Sequence, residues 1–364
     1  GRVEPNIERR RQPLFNGGQT EEMKPILFLL LLTATHELLC QVPPDFLIER
    51  ELPEKTIIHD IPAMGIGKIF LTDSLFITQD VRAQKNYIKI YNYKNNSLVA
   101  QFGNTGRGPG QMITPQLNSL SVDREYFILY DPNLKKMNYC AIDRFSDKPV
   151  KSLDFNKIDV NYLLKAYRLN DNKIIVTGMF QDNLFAVCDL QNNSITKHGE
   201  LPFRPGRAHN NFYWELNMGN FTITPDKKNL VYTAINFGYI CCYEIRESDF
   251  IKKWDFWLSE PKYSIRNGRI QWKRDNLMGI MDAVVTNDKI FAIYHGKPMA
   301  AIRSSSPEDS PETILVFTLE GKLLAKFKTS SPVLRIGANP DGEIFGVTKN
   351  LGYDLVRFDP GILE

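Results

Sequence analysis

Residues 88–102 read IKIYNYKNNSLVAQF: an apolar strand, the polar turn KNNS, and a second strand. Asn is one of the few residues that tolerates the left-handed backbone of a tight turn, so Asn95 and Asn96 between two β-rich runs predict a hairpin. A lone hairpin is at best marginally stable in water. The same layout recurs as LFAVCDLQNNSITKH (184–198), ICCYEIRESDFIKKW (240–254) and ILVFTLEGKLLAKF (314–327), and begins again as LVRFDPGIL (355–363). The chain is a repeat, and the repeat decides the fold.

Upstream of each of these hairpins lies another: GKIFLTDSLFIT (67–78), LLKAYRLNDNKIIVTG (163–178), FTITPDKKNLVYTA (221–234), MDAVVTNDKIFAIY (281–294) and VLRIGANPDGEIFGVT (333–348). LNSLSVDREYFILYDP (117–132) starts one further unit. The result is six units of four strands, each of roughly 45–60 residues, the size of a propeller blade. One such sheet cannot bury both faces, whereas six packed radially cover one another, so the repeats predict one all-β domain, a six-bladed propeller over residues 54–364. The last unit reaches the C-terminus short of a complete fourth strand. EKTIIHDI (54–61) stands alone before the first, and is expected to complete the sixth blade and remove an open sheet edge.

With 364 residues, 43% apolar and 11% aromatic, the chain can bury a large all-β core. Its formal charge of +3 is small for this length and points to no nucleic-acid partner. Cys140, Cys188, Cys241 and Cys242 fall within apolar runs without zinc or C-x-x-C spacing, and read as buried thiols.

Residues 1–22 lack apolar periodicity and are expected to be disordered. MKPILFLLLLTATHELLCQ (23–41) carries a cationic Lys24, a short apolar run from Ile26 to Leu32 and a polar stretch before Cys40. That is the pattern of an export signal over residues 23–40, with 41–53 as linker. The run is too short to span a bilayer as a helix. Cys40 stands where a lipoprotein would be lipidated, while cleavage near Thr33–Thr35 would release a soluble periplasmic protein; both remain open. The expected location is the periplasm, or the outer membrane of a Gram-negative bacterium through a lipid anchor.

FGNTGRGPGQM (102–112) looks at first like a phosphate-cradling loop. It opens no helix, its glycines do not follow G-x-G-x-x-G, and no Gly-Lys-Ser/Thr follows, so a glycine-rich crossing from one blade to the next is the expectation. With the hairpin repeat and the signal, this element resembles that of the TolB-like six-bladed propellers of Gram-negative envelopes, with a looser NHL-type relative; Met112 and Gln111 stand at positions usually aromatic and acidic. The resemblance implies a monomeric propeller over about residues 45–364 that binds rather than transforms.

In a propeller, inter-blade loops and second-to-third-strand loops gather on one face beside the central channel. Here they would present Arg107, then Arg204, Arg207, His209, Tyr213 and Trp214, then Tyr263, Arg266, Arg269, Trp272, Lys273 and Arg274, with Arg82, Lys85 and Lys135. Arginine forks pair with carboxylates, sulfates or phosphates, and indoles stack on sugars or peptides. The expected partner is a protein segment, a glycan or an anionic small molecule, with no cofactor; an envelope scaffold is a further reading. None of the five histidines lies near a nucleophile motif or a metal-binding partner. A resemblance to calcium-dependent lactonases implies an alternative, a hydrolase whose cation is held by Asn118, Glu215, Asn217 and Asp282 near the starts of inner strands.

Overall fold

The computed structural model describes residues 48–361 and Leu363, except 109–110, 121–124, 147, 156–162, 179, 181, 206–212, 248 and 303–308. The upstream segment 1–22, the export signal 23–40 with Cys40, and the loop residues Arg207 and His209 lie outside the described residues.

Two strands precede the repeats: β1 (Ile48–Glu51) and β2 (Glu54–Ile58). The first blade is β3 (Ile66–Leu71), β4 (Leu75–Asp80), β5 (Lys85–Asn92) and β6 (Ser97–Asn104). The second is β7 (Gln116–Leu120), β8 (Tyr126–Asp131), β9 (Lys136–Ala141) and β10 (Lys151–Asp154). β11 (Leu163–Arg168), β12 (Lys173–Gly178), β13 (Asn183–Asp189) and β14 (Ser194–Glu200) make the third. The fourth holds β15 (Gly219–Ile223), β16 (Asn229–Ala234), β17 (Tyr239–Arg246) and β18 (Asp249–Trp257). A hairpin, β19 (Tyr263–Arg266) and β20 (Arg269–Trp272), interrupts the crossing to the fifth blade, β21 (Ile280–Val285), β22 (Lys289–Tyr294), β23 (Thr313–Thr318) and β24 (Leu323–Lys328). The sixth contributes β25 (Val333–Ala338), β26 (Ile344–Lys349) and β27 (Tyr353–Phe358). All neighbours within a blade are antiparallel, as the hairpin reading requires.

The sixth blade is completed from the other end of the chain. β2 pairs antiparallel with β27, placing Glu54 opposite Phe358 and Ile58 opposite Leu355. The strand stops at Ile58 rather than at residue 61, because Asp60 takes a positive φ of 50° and its N–H turns to the Asp354 carboxylate at 2.9 Å. The expected linker also needs correction: Ile48–Glu51 forms β1, a parallel fifth strand along β24. Ile48 and Leu52 reach the cluster between the fifth and sixth blades, which gives this segment an apolar reason to dock.

Among the described residues the core divides into six apolar clusters, one for each pair of adjoining blades. Phe76, Phe127, Phe185, Phe317 and Phe345 are completely buried in them or nearly so, each worth about 1.5–3 kcal/mol in removal from water. The ring closes where Ile58 and Ile61 join Phe76, Tyr91 and Phe345 between the first and sixth blades. The four cysteines are buried free thiols. Burial pushes the Cys188 and Cys241 thiols up to about 12 and that of Cys242 to about 11, so they stay protonated and inert near neutrality.

The glycine-rich stretch is a blade-to-blade crossing. Gly103 has φ 95°, and a β-carbon there would lie 2.6 Å from the Tyr87 ring. The Gly106 N–H donates to the Met112 carbonyl at 2.9 Å, and Met112 is buried beside Tyr87 between the first two blades. Ile113 and Thr114 then donate their N–H groups to the Asp131 carboxylate at 2.5 and 3.1 Å, which anchors the descent into β7.

Candidate functional site at the channel mouth

Each innermost strand carries one polar residue at the same place in the repeat: Lys68, Asn118, Lys165, Asn220, Asp282 and Arg335 on β3, β7, β11, β15, β21 and β25. In five of the six, the ladder to the second strand slips beside that residue, between Ile66 and Ile69, Leu117 and Ser119, Leu163 and Lys165, Ile280 and Asp282, and Val333 and Arg335. An extra residue at a bulge breaks the strict alternation of a strand and re-aims a side chain. The fourth blade keeps its register, with Asn220 opposite Thr233.

Five of these side chains reach the next blade. Asn118 donates to the Ala166 carbonyl at 3.0 Å, Lys165 to that of Gly219 at 3.2 Å, and Asn220 to that of Met281 at 2.9 Å. Asp282 accepts the Ile336 N–H at 3.3 Å, and Arg335 donates Nε to the Gly67 carbonyl at 3.0 Å. Gln79 supplies the missing link from the first blade to the second, donating to the Pro115 carbonyl at 2.5 Å and accepting the Leu117 N–H at 2.8 Å. Lys68 departs from the scheme and hydrogen-bonds to Asp282 across the channel.

The ring lines a cavity of about 530 Å³ on the side of the inter-blade crossings, where Thr105 and Thr114 reach it from the glycine-rich loop. A second cavity, about 270 Å³, lies at the opposite end among the turns joining first and second strands. The two share Lys68, Asn118 and Tyr167, which form a waist.

Charge in the larger cavity is unbalanced. Lys68, Lys165 and Arg335 line it, against the carboxylates of Asp282 and Asp80. Asp80 is spoken for, since it accepts the N–H groups of Met64, Gly65 and Arg82 at 2.9, 3.1 and 3.2 Å and lies 3.9 Å from the Lys89 ammonium. Asp282 is paired with Lys68. Among the described residues no carboxylate pairs with Lys165 or Arg335. Burial, with further pressure from Lys68 and Arg335 and partial relief from Asp282, lowers the Lys165 ammonium to about 8. Such a site carries more positive than negative charge and can take an anion.

The loop residues singled out in the sequence are spread more widely. Arg107 is exposed on the crossing loop, and Arg204 is exposed and held by Asp182, with 3.9 Å between charges. Trp214 and Glu215 sit on α1, the short helical turn Tyr213–Leu216; Trp214 lines a smaller cavity of about 180 Å³ between the third and fourth blades, and Glu215 is exposed. Arg266 and Arg269 face each other across the β19–β20 hairpin, whose Asn267–Gly268 turn has φ of 51° and 71°, and both are exposed. Trp272 is stacked on Phe203 at 6.1 Å between ring centres and Arg274 is exposed beyond it. The aromatics of this face largely anchor loops, and the arginines ring the surface.

The residues proposed for calcium are not brought together. Asn118 and Asp282 line the large cavity, but Lys68 occupies Asp282. Asn217 spends its amide on the Phe203 and Tyr213 carbonyls, both at 2.8 Å, and its Oδ1 on the Phe203 N–H at 3.0 Å. Among the described residues no group of three or more His, Cys, Asp or Glu is placed to hold a metal ion. As arranged, these side chains do not fit a calcium ion.

Residues 61–336 match the family described as TolB-like 6-blade propeller-like. The chain belongs to the TolB-like six-bladed propeller family. A search of curated proteins finds no match. Among solved structures, this TolB-like propeller is similar to a protein of Bacteroides fragilis named as exported, with 12% identity, 87% of this chain and 100% of that chain covered, and a TM-score of 0.55. A member of the DUF4221 family from Bacteroides vulgatus is 12% identical over 86% of this chain and 96% of its own, with a TM-score of 0.54. A gluconolactonase from Xanthomonas campestris is 9% identical over 84% and 89%, with a TM-score of 0.52. At these identities the likeness shows the fold alone.

Lys68, Lys165 and Arg335 of the TolB-like propeller lie inside strands, away from the loops expected to bind. The signal was present in the repeat: GKI, LNS, LKA, GNF, MDA and LRI, aligned at the six inner strands, each carry their polar residue second.

Proposed function

We propose that this protein is an exported, non-catalytic binding propeller whose ligand is an anionic small molecule held at the channel mouth. The observation that carries the reading is the convergence of Lys68, Lys165 and Arg335 on one cavity in which Asp282 is already paired. A carboxylate, sulfate or phosphate placed there would meet an ammonium and the Arg335 guanidinium, whose Nε and Nη1 already donate to the Gly67 and Leu334 carbonyls, in a partly dehydrated setting where charge-assisted hydrogen bonds are strongest. The exposed Arg107, Arg266, Arg269 and Arg274 add positive potential around the loops and favour approach of anions over cations. Export rests on the signal pattern of residues 23–40 and agrees with the name of the Bacteroides fragilis neighbour.

Thermal unfolding of the protein at constant ionic strength, with succinate, glucuronate, sulfate and phosphate in turn, tests this. A ligand that binds only the folded state raises its stability by about 2.7 kcal/mol at one hundred times its Kd. At least one anion should raise the melting temperature of the wild type and not that of Arg335→Gln. Equal shifts in both proteins, or none in either, would remove the cavity as the binding site.

A further inference from the structure

Lys165 sits where two cavities adjoin. It lines the charged cavity of about 530 Å³ and, with Gln116 and Ile235, also the smaller one of about 180 Å³, whose other walls include Leu184, Leu201, Phe221 and Tyr232. Its Nζ donates to the Asn220 Oδ1 at 2.5 Å and to the Gly219 carbonyl at 3.2 Å. A neutral amine has two N–H bonds and one lone pair. Two acceptors therefore satisfy both donors and leave the lone pair as the remaining valence.

We propose that Lys165 is a reactive amine that condenses with the carbonyl group of a 2-oxo acid bound in this cavity. This rests on the anion-binding reading and specifies the ligand class. The carboxylate of the acid would lie against Arg335, which no carboxylate pairs among the described residues, and its apolar substituent would enter the smaller pocket. The Nζ lone pair attacks the carbonyl carbon while the carbonyl oxygen takes up a proton and the nitrogen gives one up, forming a carbinolamine. Loss of the hydroxyl with a second proton from nitrogen, as water, leaves a C=N bond. The balance is one amine plus one ketone giving one imine plus one water, with no oxidant or reductant. Burial and the neighbouring cations hold a substantial fraction of Lys165 uncharged at mildly alkaline pH, the condition such a nucleophile needs. Lys68, paired with Asp282, is not so placed.

The test treats the full chain with pyruvate or 4-methyl-2-oxopentanoate and cyanoborohydride near pH 8, followed by peptide mass mapping. The expected product is a gain of the oxo acid's mass less one oxygen atom on Lys165, at least about tenfold above any other lysine and greater with the branched acid. Lys165→Arg, which keeps a charge but cannot form the imine, should lose the adduct. Because the adduct is mapped on the wild-type protein, the test does not depend on how that variant folds. Labelling spread over surface lysines, or concentrated on Lys68, would overturn the proposal. If the oxo acid raises the melting temperature and leaves Lys165 unmodified, the imine falls and the anion site stands; if it does neither, the imine falls, and the anion site falls with it only when succinate, glucuronate, sulfate and phosphate also fail to raise the melting temperature.

Discussion

Lys68 on the first blade and Asp282 on the fifth are joined by a hydrogen-bonded ion pair that crosses the channel past the sixth blade. The other links of the ring run only between neighbours, whereas this pair joins two blades that do not adjoin. It also places the cavity's available carboxylate beside one of its three cations, and among the described residues no carboxylate pairs with the other two. Asp282→Asn would keep the shape, remove the countercharge and leave three cations together. The expected loss is about 2–4 kcal/mol, below that of breaking a wholly enclosed pair because Lys68 keeps some access to solvent. Urea unfolding checks the stability, and the same variant should bind anions more tightly than the wild type.

Anion affinity should fall as pH rises through about 8. The Lys165 pKa is lowered in the folded protein, so above that value one of the three cations is lost while Arg335 stays charged. The unfolded chain titrates this lysine near its ordinary 10.5 and therefore holds more protons than the folded chain between about 8 and 10.5. Lys165 thus contributes a stability that increases with pH across that window. Melting curves with and without succinate from pH 6.5 to 9.5 should show the ligand-induced shift shrinking, most steeply around pH 8.

Closure makes the two strands before the repeats unequal. Removing residues up to Leu52 takes away β1, an addition to a blade that already has four strands. Removing residues through Ile58 also deletes β2 and strips the sixth blade of its fourth strand, exposing the edge of β27. The shorter truncation should fold with a modest loss of stability, and the longer should yield aggregated or partly unfolded protein. Circular dichroism melts and size-exclusion profiles of the two separate these outcomes.

The glycine-rich crossing gives a prediction of its own. Gly103→Ala forces a β-carbon into the Tyr87 ring at a left-handed position and should cost about 1–3 kcal/mol for the strained backbone alone. Met112→Ala should cost about 2–5 kcal/mol, since Met112 is a core side chain. Arg107→Ala, at an exposed site, should stay within about 0.5 kcal/mol of wild type. Denaturant titration of the three ranks them; a large effect only at Arg107 would contradict this reading of the crossing.

The architecture was legible because repetition multiplies a weak signal: one hairpin such as 88–102 is ambiguous, but its recurrence forces a ring, and the unpaired EKTII before the first blade had one edge to fill. β1 was not legible, since a four-residue parallel strand with three exposed side chains has no period to read. The β19–β20 hairpin was hidden in a long loop, although its Asn267–Gly268 pair is a turn signal. Site residues were expected on loops, where Trp272 stacks on Phe203. Lys68, Lys165 and Arg335 are visible only when inner strands are compared position by position, because a single polar residue in an apolar strand reads as its solvent face.

Isothermal titration calorimetry decides whether the channel mouth is an anion site built by three strand-borne cations. Succinate is titrated into wild type, Arg335→Gln and Lys165→Gln at low and physiological ionic strength. One site per chain is expected in the wild type, weakened at least about tenfold in each variant and weakened by salt, as removal or screening of a cation at a partly dehydrated site requires. Undiminished binding in both variants, or binding lost only when the exposed Arg266 and Arg269 are replaced, would contradict it.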